Sequence, residues 1–306
     1  MARTRTRTDR TSHKRSTARS TPHPGDAATI DVSRFVARWR PLEPVIAQIQ
    51  RQTGMTLAQS SDAPSHLDRL LSDRLDQLAI DVSAYALRCA NDPFERLVLL
   101  DLLHRRPSAW FADPARFVDL ERRVVPQVAE RFSRTAKPVM RVWCAATGSG
   151  EEVYSIAASM QRSLPDRERW DATVLATDLS VSSLQEAQTG RYDQESVAHM
   201  DTSLRTLTLA PARPGSSRVS VRQELRRTVH FAWLDLNGDW DFIGPFDAVF
   251  CRGLLDRFTP ERRSHALGRI AGVMRTGSTL YLGGGEDYPE MADHFAKRGD
   301  PGIYLR

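Results

Sequence analysis

Apolar positions recur at near-helical spacing through the first third of the chain. Phe35, Val36, Trp39, Leu42, Val45, Ile46 and Ile49 form one stripe; Leu67, Leu70, Leu71, Leu75 and Leu78 form a second within Ser65 to Leu78. Such a stripe gives a helix one face to bury. Phe94 to Leu103 and Phe117 to Phe132 predict two further helices. Asp113-Pro114 marks a helix start, because proline is tolerated in the first turn. No strand-like alternation interrupts residues 31–135, so this stretch is predicted to be an all-helical domain.

The pattern changes at residue 139. Val139 to Ala145 is a short apolar, β-branched run, followed by Thr147-Gly148-Ser149-Gly150-Glu151-Glu152 and a helical stripe of Val153, Ile156, Ala157 and Met160. Thr173 to Asp178, Phe246 to Cys251 and Ser278 to Gly283 read as further strands. Ser180 caps a helix running through Ala187, and another helix runs from about Thr259-Pro260 to Met274. Strands alternating with helices predict a parallel sheet covered on both faces. The interval 190–232 differs. A turn at Pro211, Pro214, Gly215, Ser216 and Ser217 separates Leu204, Leu207 and Leu209 from Val219–Arg222 and Thr228–Phe231. It predicts a small antiparallel insertion. The fold class is therefore α/β: a helical domain over 31–135, then a doubly wound, mostly parallel-sheet domain over 136–306.

Composition narrows the function classes. The 306 residues suit roughly two domains. The formal charge of +5 sits in residues 1–30, where seven basic residues (Arg3, Arg5, Arg7, Arg10, Lys14, Arg15, Arg19) face Asp9 and Asp26; the rest of the chain balances to zero. A basic nucleic-acid-binding body is therefore not expected. Residues 1–30 have too few apolar side chains to offset their ordering entropy and read as a disordered tail. A plain solvated tail is favoured over weak contact with an anionic partner, and both over organelle targeting. No run approaches the ~18 apolar residues of a membrane span. Three separated cysteines (Cys89, Cys144, Cys251) fit a reducing cytoplasm, and the scattered histidines offer no metal spacing.

The candidate chemistry lies where a strand feeds a glycine turn and then a helix. That arrangement forms the ligand crevice of doubly wound folds. Glycines admit a ligand close to the backbone, and the helix N-terminus offers unpaired N–H groups. Asp178 ends the next strand, where a carboxylate can accept ribose hydroxyls. No Lys-Ser/Thr follows the glycines, and Glu151 and Glu152 would repel a pyrophosphate. A cationic ligand carrying a ribose fits better, such as S-adenosylmethionine (SAM), with its sulfonium and ammonium. The alternatives are an ordinary two-glycine turn and simple helix stabilisation by the Glu pair, and the ligand reading is favoured over them.

Several segments, in order, resemble the CheR-like chemotaxis receptor methyltransferases, SAM-dependent protein-glutamate O-methyltransferases. The resemblance covers about residues 33–306. It rests on Arg141 to Ala146 with Gly150-Glu151-Glu152-x-Tyr154-Ser155-Ile156-Ala157, and on Ala176-Thr177-Asp178-Leu179 with Leu184-x-x-Ala187-x-x-Gly190-x-Tyr192. Val221 to Leu225, Asp235-Leu236, Gly244 to Arg252, and Phe295, Arg298-Gly299 and Ile303-Tyr304 extend it. The resemblance implies a helical domain, a Rossmann-like SAM-binding domain and an inserted antiparallel subdomain at about 190–232. It implies SAM as cofactor, S-adenosylhomocysteine as product, and a protein acceptor such as a chemoreceptor. The cofactor-binding residues expected are Ser108, Gly148, Gly150, Glu152, Asp178, Asp235, Leu236, Gly253 and Leu254. Glu152 would engage the methionine end, Asp178 the ribose, and Asp235-Leu236 the adenine, where the family more often has Asn-Leu.

The departures fall on the acceptor side. The family's Thr-x-Phe-Phe-Arg reads Ser108-Ala109-Trp110-Phe111-Ala112 here, so the Arg is Ala112. After Cys251-Arg252 the family's Asn-Val-x-x-Tyr-Phe reads Gly253-Leu254-Leu255-Asp256-Arg257-Phe258, and its Gly-His-Ser-Glu reads Gly283-Gly284-Gly285-Glu286. Arg257, at the Tyr position, reads either as a carboxylate clamp or as a solvated helix-end arginine. The helix expected to meet an acidic receptor carries Asp68, Asp73 and Asp76 against Arg69 and Arg74, so steering is weak. A glutamate carboxylate is already ionised and needs no general base, so no catalytic side chain is assigned. The leading reading is a cytoplasmic SAM-dependent protein-glutamate methyltransferase. The alternatives are a catalytically impaired SAM-binding interaction module and a methyltransferase with a small-molecule acceptor.

Overall fold

The computed structural model describes residues 37–53, 63–106, 108–211, 215–238, 240 and 244–306. The basic segment 1–30 lies outside the described residues. After a 3-10 turn at Arg40–Leu42 come α1 (Glu43–Thr53), α2 (Ala63–Leu78), α3 (Val82–Asn91) and α4 (Pro93–His104). They bury a common apolar cluster that includes Trp39, Leu42, Leu71, Tyr85, Cys89 and Leu99. Aspartates set two of the helix starts. The Asp81 side chain accepts from the Ala84 N–H at 2.8 Å, and that of Asp92 from the Phe94 N–H at 2.9 Å, with Pro93 in the first turn. Helix α3 was not marked by the sequence pattern. Its buried face is narrow (Tyr85, Cys89), while Leu87 is exposed.

Two arginines of α2 are already engaged. Arg74 donates twice to the buried Glu95 carboxylate, at 2.9 and 2.8 Å, and Arg69 pairs with Asp73. Asp68 accepts from Arg38 and Trp39. The weak charge read from this helix is weaker still once these pairs form.

The helix expected over 117–132 is one continuous rod with a fault. It comprises α5 (Pro114–Asp119), a π turn (Leu120–Val124) and α6 (Val125–Arg131). Next come β1 (Val139–Cys144), α7 (Glu151–Ser163), β2 (Asp171–Asp178), α8 (Val181–Thr189), β3 (Arg191–Asp193), α9 (Thr202–Thr208), β4 (Arg218–Ser220), α10 (Gln223–Arg226) and β5 (Val229–Trp233). The chain ends with β6 (Phe246–Phe250), α11 (Pro260–Gly272), β7 (Met274–Tyr281), β8 (Ala296–Lys297) and β9 (Ile303–Leu305).

Seven strands form one sheet in the order β5-β2-β1-β6-β7-β9-β8. The pairs from β5 to β7 are parallel, and β9 lies antiparallel to both neighbours. This is the expected α/β fold. One placement is corrected. Val229–Phe231 was expected in the antiparallel insertion, but β5 is the parallel edge strand of the main sheet, beside β2. Of its side chains Val229 alone is fully buried, so β5 lacks the continuous apolar run of a central parallel strand. The insertion itself keeps a two-stranded antiparallel ladder, β3 with β4. Strand order reverses between β1 and β6, which opens a crevice at their carboxyl ends.

Candidate functional site

A cleft opens at that reversal. Its walls combine His104 at the end of α4 and Arg106 just beyond it, the end of β1 (Ala145, Ala146) and the end of β2 (Asp178, Leu179). Leu234, Asp235 and Leu236 after β5, and Leu254, Arg257 and Phe258 after β6, complete it. The site thus draws on the carboxyl ends of four strands and is roofed by the helical region.

Asp178 organises the floor. It is buried, and both carboxylate oxygens accept backbone N–H groups: Gly148 at 2.8 Å and Ser180 at 2.9 Å. One carboxylate therefore holds the glycine turn against the start of α8. Each oxygen has a second lone pair for a ligand hydroxyl. Gly148 and Gly150 have positive φ, +56° and +103°. At Gly150 a Cβ would lie 2.6 Å from the Tyr192 hydroxyl and 2.7 Å from the Ala187 Cβ, so glycine is required for both conformation and space.

The acid pair opens α7. Glu151 is buried and accepts from the Ser149 hydroxyl at 2.6 Å; burial pushes its carboxyl above the ordinary value. The Glu152 N–H donates to the Ser108 hydroxyl at 3.1 Å, which caps the helix from the segment that precedes α5. The Glu152 carboxylate is paired with Arg252. Arg252 also donates to Asp113 at 2.7 Å and to the Ala112 carbonyl at 3.4 Å. Burial opposes its charge, but Glu152 and Asp113 outweigh that and raise its pKa. Asp113 accepts in turn from Arg116 at 3.0 Å.

Of the expected residues, Asp178, Asp235, Leu236 and Leu254 line the cleft. Ser108, Gly148, Gly150 and Glu152 build the adjoining loop. Gly253 has φ +62°, and its N–H donates at 2.8 Å to Glu286, which also accepts from Gly283 and from the Tyr288 hydroxyl. The late Gly-Gly-Gly-Glu element thus holds the loop after β6 in place.

His104 and Arg106 were missed, because they sit at and beyond a helix end and belong to no motif. Leu179 and Leu234 adjoin marked residues and were within reach. Burial holds the His104 imidazole below the ordinary histidine value, against the pull of its 2.6 Å bond to the Leu100 carbonyl. Arg257 is buried and donates to the Leu103 carbonyl at 2.8 Å, so it is not a solvated helix-end residue. Among the described residues no cluster of His, Cys, Asp and Glu could hold a metal. No described helix is long and apolar enough to cross a membrane.

Paired carboxylates at the ends of two strands, small residues at the end of β1 and an apolar wall suit a nucleoside. The acid pair at α7 is ill matched to a phosphate. Fold and cleft together define the class: an α/β protein that takes a nucleoside-bearing cofactor at the switch point of its sheet. Residues 106–302 match "CheR methyltransferase, SAM binding domain", and the cofactor is SAM. The chain is 30% identical over 214 residues to the "Chemotaxis protein methyltransferase" of Vibrio parahaemolyticus, covering 69% of this chain and 76% of that one. It is 30% identical over 215 residues to "Chemotaxis protein methyltransferase 1" of Pseudomonas aeruginosa, covering 69% and 77%. With the Listeria innocua protein of the former name it shares 32% over 203 residues, covering 66% and 71%. The chain belongs to the CheR methyltransferase family.

Proposed function

We propose that this protein methylates a glutamate carboxylate on a partner protein of a bacterial signalling pathway. The observation that carries the reading is the Asp178 carboxylate, held by two backbone N–H groups at the floor of the cleft in a member of this family. In this reading Asp178 accepts the ribose hydroxyls, Asp235 and Leu236 flank the adenine, and Glu152 takes the methionine ammonium. In this reading the helical region and the sheet region act as two domains, and the second takes in the helix over 114–131, whose Phe117, Leu120, Val124 and Val128 share the sheet's apolar cluster.

When bound, SAM supplies an electrophilic methyl: a carboxylate oxygen gains the O–C bond while the S–C bond breaks with its electron pair left on sulfur. No proton moves, so the chain needs no general base. Its contribution is positioning and exclusion of water. The helical region supports the latter, since His104 and Arg106 close the cleft from its side. On the acceptor side Ala112 offers no guanidinium. Arg252 reaches the Ala112 carbonyl and is paired with Asp113 and Glu152.

The test is incubation of the full chain with methyl-labelled SAM and a lysate rich in chemoreceptors. Protein-bound label released as methanol by mild base is expected. Tight SAM binding without transfer to any protein would point to an interaction module instead. Label recovered in a low-mass product would point to a small-molecule acceptor.

A further inference from the structure

The loop after β6 gives the cleft Leu254, Arg257 and Phe258, and it is held by side chains that do not line the cleft themselves. The Asp256 carboxylate accepts from the Tyr288 hydroxyl at 2.7 Å. The same hydroxyl lies 3.0 Å from the Glu286 carboxylate, which accepts the Gly253 N–H at 2.8 Å. Glu286 thus takes the start of the loop, Asp256 its 3-10 turn (Leu255–Arg257), and Tyr288 joins the two. Arg263, on α11, adds a further hold. It donates to the Leu255 and Phe258 carbonyls, each at 3.1 Å, and its guanidinium stacks 4.1 Å from the centre of the Tyr288 ring. Asp256 falls on an open position of its family element, and Tyr288 lies beyond the Gly-Gly-Gly-Glu element. Tyr288 is buried, in the same apolar cluster as Leu255 and Phe258. Burial, then Glu286 and Asp256, push its hydroxyl well above the ordinary tyrosine value, so it stays a donor at neutral pH.

We propose that Tyr288 is a positioning residue of the cofactor cleft: its hydroxyl ties Asp256 to Glu286 and so fixes the loop that presents Leu254 and Phe258 to the ligand. This rests on the reading that the cleft takes S-adenosyl ligands. The effect is one of preorganisation. A loop already in its bound conformation spares the ligand the cost of ordering it. A hydroxyl carries one proton, and here that proton is all that stands between two carboxylates. Removing the hydroxyl leaves the Gly253 and Arg263 bonds in place, so the loop persists, but its turn is freed at Asp256 and the two carboxylates face each other unbridged. Because Asp256 is exposed, water replaces its lost partner and folding loses little. Ordering the freed turn again on binding weakens affinity by roughly three- to tenfold.

The experiment is calorimetric titration of the full chain with S-adenosylhomocysteine, for the wild type, Tyr288→Phe, Asp256→Ala and the double variant, with unfolding midpoints measured without ligand. Tyr288→Phe should bind roughly three- to tenfold more weakly, with a midpoint within a degree or two of the wild type. Asp256→Ala should lose a similar factor, and the double variant no more than either single one, because both act through one bond. In the label-transfer assay Tyr288→Phe should raise the KM for SAM by that factor at unchanged kcat, the mark of lost cofactor binding rather than lost chemistry. Unchanged affinity in Tyr288→Phe overturns the proposal, and so do losses that add in the double variant. If Tyr288→Phe does not fold, unchanged affinity in Asp256→Ala overturns it by itself. A wild type that binds S-adenosylhomocysteine no better than Tyr288→Phe loses this inference and keeps the proposed function; a wild type that binds no S-adenosyl ligand loses both.

Discussion

Replacing Asp178 by asparagine separates a ligand contact from a structural one. The native carboxylate accepts the Gly148 N–H at 2.8 Å and the Ser180 N–H at 2.9 Å, and the side chain is 7% exposed. Asparagine has one oxygen and one NH2 group. Whichever way the amide turns, one backbone N–H then faces another donor. A hydrogen bond to a charged acceptor contributes about 1.5–3 kcal/mol, and a buried unsatisfied donor costs about 1–3 kcal/mol. The two overlap, so Asp178→Asn should lose about 3 kcal/mol. That is a large share of the ~5–15 kcal/mol typical of a domain. Because the same N–H groups fix the glycine turn to α8, binding of S-adenosylhomocysteine should fall as well. Urea unfolding followed by tryptophan fluorescence gives the first quantity, and calorimetric titration the second. If Asp178 were a ribose ligand alone, binding would fall while stability stayed within about 0.5 kcal/mol, the range of ordinary surface substitutions. That pattern would refute the reasoning.

Gly150→Ala should fail to fold or lose several degrees in unfolding midpoint, since its Cβ would meet Tyr192 and Ala187 at a positive φ. Gly285→Ala, where a Cβ meets nothing within 4 Å, should unfold within a degree or two of the wild type. Glu95→Gln should loosen the helical region by about 2 kcal/mol in chemical denaturation, the scale of a hydrogen bond to a charged group, because the buried carboxylate joins Arg74 and Arg88 across α2, α3 and α4. Burial alone would raise the Glu95 carboxyl, but the Arg74 hydrogen bonds and the Arg74 and Arg88 charges bring it below the ordinary value. Its stabilisation is therefore complete above the unfolded-state value and is lost as pH falls through the lower folded one. Circular dichroism across an acid titration should show that loss in the wild type and not in Glu95→Gln.

The part of the site written in contiguous residues was legible. An apolar run, a glycine turn, an acid pair and an amphipathic stripe occupy consecutive positions, and each step rests on local backbone chemistry. Asp178 was legible for the same reason, as the last residue of a strand. The features that escaped depend on partners far along the chain. Arg257 reaches the Leu103 carbonyl across 154 residues, and no hydrophobic pattern marks a cation that is buried by being pinned to a carbonyl. Strand β5 was read into the insertion because an edge strand with one fully buried side chain resembles a half-exposed hairpin strand. Its parallel pairing with β2 is a tertiary fact.

The connection between the helical region and the sheet shows how the two halves of the site are held to each other. Phe111 and Asp113 both adopt positive φ, 47° and 58°. For residues with a Cβ that conformation costs on the order of 1–2 kcal/mol each. Specific partners offset it. The Phe111 N–H donates to the Ser155 hydroxyl on α7 at 3.0 Å, and its ring meets Phe117 edge-on at 5.3 Å. The Asp113 carboxylate joins Arg116 to Arg252, and Arg252 reaches on to Glu152. These contacts tie the segment to the helix that opens the cofactor loop and to the loop after β6. The backbone strain at 111–113 therefore reflects where the chain must stand beside the cleft. Asp113 and Arg252 hold the segment from either side of Ala112.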